Sequence, residues 1–128
     1  MVTARPPDSQ QLRVAGVSLD CADPVALAGF YKGLLDGEQL WHSERSVGLG
    51  VRGAVLALQL VDGYVPPTWP GSAVMHLDLA SGGDLDLEQE RAIRLGATRA
   101  ESQPDNRWRV LIDPAGHPFC LTKIAIAQ

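Results

Sequence analysis

His76 stands in the stretch VMHLDL, with Asp78 two residues further on. In an extended segment such residues point the same way, about 7 Å apart along the chain. The imidazole could serve as a metal ligand or a substrate contact, and the carboxylate could orient it or simply meet solvent at the rim. Ser18 and Gln59 add neutral donors and acceptors, Cys120 adds a thiol, and Arg107 and Arg109 add fixed positive charge that grips an anion where the side chains turn inward. Trp41, Trp69 and Trp108 are conspicuous in a chain with only 5% aromatic residues. A large ring with one hydrogen-bond donor suits an apolar ligand platform and, equally, a dimer interface. His42 and His117 fall at or near turns and read as surface residues.

Composition narrows what these residues serve. A chain of 128 residues with 45% hydrophobic content fills one core, so a single domain over 1–128 is expected. Net charge is −4, and the 11 basic residues are scattered, leaving no phosphate-tracking stripe and no expected nucleic-acid partner. The N-terminal MVTARPPDSQQ carries no apolar run, and no stretch approaches the roughly 18 apolar residues of a membrane span, so a cytoplasmic protein without membrane contact is expected. Cys21 and Cys120 are far apart and lack a CxxC neighbour, which reads as two reduced, buried thiols.

The elements that must position the polar residues come in two matching sets. At an offset of 60 residues, AGVSLDCADP lies over MHLDLASGGD, and Leu35 lies over Leu95. In the first half, alternation predicts a strand over 14–21. Asp23 caps a helix with Pro24 in its first turn, and Leu27, Phe30, Tyr31, Leu34 and Leu35 form one apolar face. Gly37 is expected to close that helix in the left-handed conformation. Strands follow at about 38–42, 46–51 and 54–61, with Arg52-Gly53 as a tight turn. The stretch DGYVPPTWPGS, with three prolines and two glycines, breaks the chain. The second half repeats the plan: strand 74–80, helix 85–95 ending at Gly96, then strands at about 97–101, 107–112 and 118–124, with DPAGHP as the last turn. Module one thus covers about 12–62, a linker 63–73, and module two about 74–125. The expected class is α+β: two tandem βαβββ modules whose mixed sheets curve into a cup, with the helices on the outer face.

The two-residue period of a strand then sorts the faces. Met75, Leu77 and Leu79 are expected against the helix, leaving Val74, His76 and Asp78 inward. Leu56, Leu58 and Leu60 take the helix side, leaving Ala57, Gln59 and Val61 inward, and Gly16 and Ser18 face inward on the first strand. Phe119, Leu121 and Lys123 face out, leaving Cys120, Thr122 and Ile124 inward. So polar an inner face predicts a cleft.

The paired plan, together with DCADPVALAGFYKGLL, MHLDL and WRVLIDPAGHPFCL, resembles the vicinal oxygen chelate superfamily of glyoxalase I, extradiol dioxygenases and bleomycin or fosfomycin resistance proteins. It is most similar to the glyoxalase-like branch common in actinobacteria. The resemblance spans about residues 12–125. It implies four metal positions, one from the first and one from the last strand of each module, which read here Gly16, Gln59, His76 and Cys120. Glycine donates nothing and an amide is a weak ligand, so no tight native metal is expected; a divalent zinc, nickel, manganese or iron ion, if held, would use His76, Gln59 and Cys120. Two functions stay open. One is a protein that binds a small organic molecule through His76, Gln59, Asp78, Ser18, Trp41, Trp69, Trp108 and Arg109. The other is a metal-dependent glyoxalase-like lyase or dioxygenase acting on a small oxygenated substrate. The resemblance also implies a homodimer, since an open curved sheet leaves edges for a second copy.

Overall fold

The computed structural model describes residues 12–123. In the first module, β1 (Val17–Cys21), α1 (Pro24–Leu35), β2 (Glu38–His42), β3 (Ser46–Val51) and β4 (Ala54–Leu60) build a mixed sheet in the order β1-β4-β3-β2. The cap at the start of α1 forms as the sequence predicts: the Asp23 side chain accepts the Ala26 N–H at 3.1 Å. Leu27, Phe30, Tyr31 and Leu34 are buried on one face of the helix, which rests on β3 and β4.

The helix ends differently from expectation. Asp36, not Gly37, takes the left-handed conformation, with φ 52° and ψ 51°. Aspartate tolerates that region better than most residues with a Cβ. Gly37 answers a space constraint instead, because a Cβ there would lie 3.1 Å from Val51 Cγ1. A β-bulge between Gln39 and Trp41 puts Leu40 and Trp41 on one side of the sheet: they rest where Cβ atoms of Gly50 and Gly48 would project, and those glycines, two apart, share a face.

The second module has β5 (Leu77–Ala80), α2 (Leu85–Leu95), β6 (Thr98–Arg99), β7 (Trp108–Ile112) and β8 (Pro118–Thr122), in the sheet order β5-β8-β7-β6. Asp84 caps α2 by accepting from Asp86 N at 2.8 Å, and Gly96, at φ 128°, closes it. Several strands are shorter than their periodicity suggests; β1 already starts at Val17 rather than 14, with Val14 exposed. β5 starts at Leu77, so Val74 and Met75 remain 88% and 84% exposed, and Met75 does not pack on the helix. The reason lies across the ladder: β5 pairs in parallel with β8, Leu77 opposite Phe119, and β8 begins at Pro118, which has no N–H to extend the pairing. After Arg99 one more backbone bond forms, Ala100 N to Val110 O at 3.1 Å, and a side chain then takes over the pairing. Gln103 Nε2 donates to Ala100 O and Val110 O, both at 2.8 Å, and its Oε1 accepts Val110 N at 2.9 Å. Lys123 follows the end of β8 and is exposed, and Ile124 lies outside the described residues.

The two sheets are separate, yet their helix-side faces feed one core. Leu56 and Leu58 of β4, Phe119 and Leu121 of β8, and the helix residues Leu27, Tyr31, Leu85 and Ala92 belong to the same buried cluster. Phe30 lies 5.9 Å from Phe119, ring centre to ring centre. Arg91 of α2 donates to Gly33 O at 3.1 Å and Leu34 O at 2.6 Å, covering carbonyls that the end of α1 leaves free. Tyr31 Oη donates to Asp113 Oδ2 at 2.6 Å, while Asp113 Oδ1 accepts Ala115 N and His117 N at 2.8 and 3.0 Å. Burial, then the charge of Asp113, drives the Tyr31 phenol far above its ordinary range. His117 is also part of this junction rather than a surface residue: its Nε2 donates to Asp20 O at 2.6 Å and lies 3.2 Å from Tyr64 Oη.

Candidate functional site

Because leucines 77 and 79 face the core, Asp78 projects from the opposite side of β5, and β8 presents Cys120 and Thr122 beside it. Across β8, Val110 pairs with Cys120 and Trp108 with Thr122. These residues floor a cleft of about 270 Å³. Its walls come from outside the repeated elements. Trp69 arrives from the linker, and Pro104 from the loop between β6 and β7. Trp69 Nε1 donates to Ser102 O at 3.2 Å, tying linker to loop. Gln103 fixes that loop to β7 and so sets where Pro104 and Trp108 stand. Nothing in its sequence neighbourhood signals this role, since it depends on reaching Val110 across the turn.

The polar end of the cleft is compact. His76 Nε2 lies 3.3 Å from Asp78 Oδ1, with the two side chains 32% and 35% exposed. The His76 ring meets Trp69 edge-on, with centroids 5.8 Å apart. The Cys120 thiol is pushed up to about 11 by burial, then by the charge of neighbouring Asp78. It therefore stays a neutral donor at physiological pH rather than a nucleophile.

The other expected site residues lie elsewhere. Gln59 Nε2 donates to Ser18 Oγ at 3.3 Å on the exposed face of the first sheet. Ser18 does border a smaller cavity of about 170 Å³ between β1 and β5, which His76 also borders; Gln59 lines neither space. Trp41 lies over Gly48 and donates to Ser46 Oγ at 3.0 Å, on the first module. Arg109 corrects the expectation of an inward cation. It turns toward α2, donating to Asp86 Oδ1 at 2.9 Å and to Asn106 O at 3.0 Å. Arg107 is held by both carboxylate oxygens of Asp105, at 3.0 and 2.9 Å, with its guanidinium 5.3 Å from the centre of the Trp108 ring.

The four metal positions implied by the resemblance do not form a set. Gly16 has neither a donor nor room for one, because a Cβ there would meet Val55 O at 2.5 Å, and Gln59 is engaged with Ser18. The trio His76, Gln59 and Cys120 is accordingly corrected to His76, Asp78 and Cys120, whose ligand atoms all lie within 4.8 Å of one another. Imidazole, carboxylate and thiol together are a donor set of the zinc kind, though the thiol must first lose its proton.

Comparison with known proteins agrees with this architecture. Residues 16–122 match the family described as Glyoxalase-like domain. Among solved structures, a variant of the genomically encoded fosfomycin resistance protein FosX from Listeria monocytogenes, complexed with Mn(II) and 1S,2S-dihydroxypropylphosphonic acid, is similar at 15% identity and TM-score 0.71, over 89% of this chain and 91% of that one. A glyoxalase/bleomycin resistance protein/dioxygenase family enzyme from Burkholderia phytofirmans PsJN is similar at 17% identity and TM-score 0.68, over 84% of this chain and 94% of that one. FosX from Mesorhizobium loti is similar at 15% identity and TM-score 0.66, over 89% and 93%. No curated protein sequence matches. At these identities the structures share a fold, and the two-module plan, the DPAGHP turn and the family match together show that the chain belongs to the glyoxalase-like domain family of the vicinal oxygen chelate superfamily.

Proposed function

We propose that this protein binds a small organic molecule with a flat apolar part in the second-module cleft. Trp69 supplies a wall and Trp108 the apolar part of the floor, and His76, Asp78 and Thr122 orient the polar end. The observation that carries the reading is the joining of two separate segments, linker and loop, by the Trp69–Ser102 hydrogen bond into walls above a polar floor. Such a mixture of aromatic surface and few convergent polar groups is what small-molecule sites look like. Titration with planar aromatic compounds, α-keto compounds and thiol adducts, followed by tryptophan fluorescence, tests it. The His76→Ala protein is expected to fold normally and to bind the best compound about tenfold more weakly, since it loses one hydrogen bond of a charged or polar type. Unchanged affinity in that variant would remove His76 from the site.

A metal-dependent glyoxalase-like lyase or dioxygenase is the second reading, supported by the His76, Asp78 and Cys120 donors. Metal analysis of protein purified without a histidine tag or chelator separates the two. Near one equivalent of a single metal, lost in His76→Ala, favours the enzyme.

A homodimer fits the bare face of the first sheet, where Leu40 and Trp41 remain 50% and 41% exposed, and light scattering at micromolar concentration tests it. The free, buried Cys21 and Cys120 suit a reducing cytoplasm. No helix of the described residues is long and apolar enough to cross a membrane.

A further inference from the structure

If the cleft is the binding site, as proposed above, its charges specify what kind of molecule it takes. Among the described residues that line it there is no lysine or arginine, and Asp78 is the one acid. The two arginines on or beside β7 that could have turned in are held elsewhere, Arg109 by Asp86 and Arg107 by Asp105. An anionic ligand would therefore lose its hydration against a carboxylate and two indole faces, with no fixed cation to receive it.

A cation meets the opposite situation. Indole faces attract positive charge, and Trp108 already does so with the Arg107 guanidinium, 5.3 Å from its ring centre. Asp78 retains capacity as well. An ionised carboxylate offers about four acceptor positions. His76 Nε2, 3.3 Å from Oδ1, occupies the direction of one, and the Cys120 sulfur stands within 4.8 Å. The carboxylate is still 35% exposed toward the cleft. A charged N–H group placed there makes a charge-assisted hydrogen bond of the stronger class.

We propose that the cleft selects planar, positively charged nitrogen aromatics: the ring lies along Trp69 and Trp108, and a protonated or amino-substituted nitrogen donates to Asp78. This separates the pocket from an anion site such as one for a phosphonate.

Three probes of similar size test it by calorimetry at neutral pH in the presence of EDTA: 4-aminoquinoline, which is protonated there, 1-naphthylmethanol, which is neutral, and 1-naphthoate, which is anionic. The cation is expected to bind about tenfold tighter than the neutral probe, and the anion most weakly. Asp78→Asn, which keeps shape and removes charge, is expected to cut the preference for the cation over the neutral probe about tenfold. Naphthoate binding as tightly as aminoquinoline, or an unchanged preference in Asp78→Asn, overturns the charge assignment while leaving the cleft as a binding site. Failure of all three probes to bind overturns the cleft reading together with it.

Discussion

The inner faces of the two modules differ although their plans agree. In the first, the face opposite α1 is bare: every residue of β2 is exposed, and two tryptophan- and leucine-sized side chains lie on a floor of glycines. In the second, the corresponding face is roofed: on β8, the counterpart of β4, the inward Cys120 and Thr122 are buried, whereas on β4 Ala57 is half-buried and Gln59 exposed. The repeated elements are equivalent in both. What differs is the non-repeated chain, because the linker brings Trp69 and the long β6–β7 connection brings Pro104 over the second sheet alone. The duplicated scaffold thus sets where a site can be, and the unique segments decide which copy receives one.

The largest expected effect comes from breaking what the modules share. Asp113→Ala leaves the buried Tyr31 hydroxyl and two backbone N–H groups without their acceptor, and a loss of about 3 kcal/mol in urea unfolding is expected. Asp113→Asn keeps one oxygen for the two N–H groups and should cost less than half as much. Equal losses would show that the negative charge, rather than the hydrogen-bond count, holds the junction.

Next in size is the contrast between the two inner faces. Trp108→Ala is expected to weaken any cleft ligand by more than about tenfold, as removal of a central aromatic anchor does. Gln59→Ala, on the bare face, should stay within about twofold. A comparable loss in Gln59→Ala would show that the first module of a second copy completes the cleft, and would turn the contrast into a division of labour.

Gln103→Ala sharpens the account of the roof. It removes three backbone contacts from a half-buried loop, so stability should fall by about 1–2 kcal/mol and ligand affinity severalfold. Loss of stability with unchanged affinity would mean that Trp69 and Ser102 hold the roof unaided.

The smallest effect is in pH. The Cys120 thiol is raised from 9.0 to about 11, so between those values the folded protein keeps a proton that the unfolded chain has released. The stabilisation is complete below pH 9.0 and is lost as pH rises toward about 11. Alkylation of Cys120 by iodoacetamide, followed by mass spectrometry, should remain slow at pH 9 and accelerate with a midpoint near 11. A midpoint near 9 would mean that neither burial nor the charge of Asp78 holds the thiol proton.

Local chemistry made much of this molecule legible. Asp23 at a helix start, the apolar spacing of Leu27, Phe30, Tyr31 and Leu34, and the alternation of Leu56 and Leu58 each report a preference expressed within a few residues, and the elements formed where those preferences lay. The same alternation put His76, Asp78, Cys120 and Thr122 on one side of their sheet. Only the tertiary structure decided the rest, because it depends on partners remote in the chain. Met75 follows the apolar period yet stays in solvent, since its strand has no ladder to join before Leu77. Arg109 turns outward because Asp86, on a helix 23 residues earlier, offers a carboxylate at 2.9 Å. Asp78 replaces Gln59 beside His76 and Cys120 because parallel pairing sets it directly across from Cys120, whereas Gln59 is held by Ser18 on the other sheet. Periodicity assigns a side chain to a face; which faces meet, and which loop covers them, is set by the long-range packing of two sheets on one core.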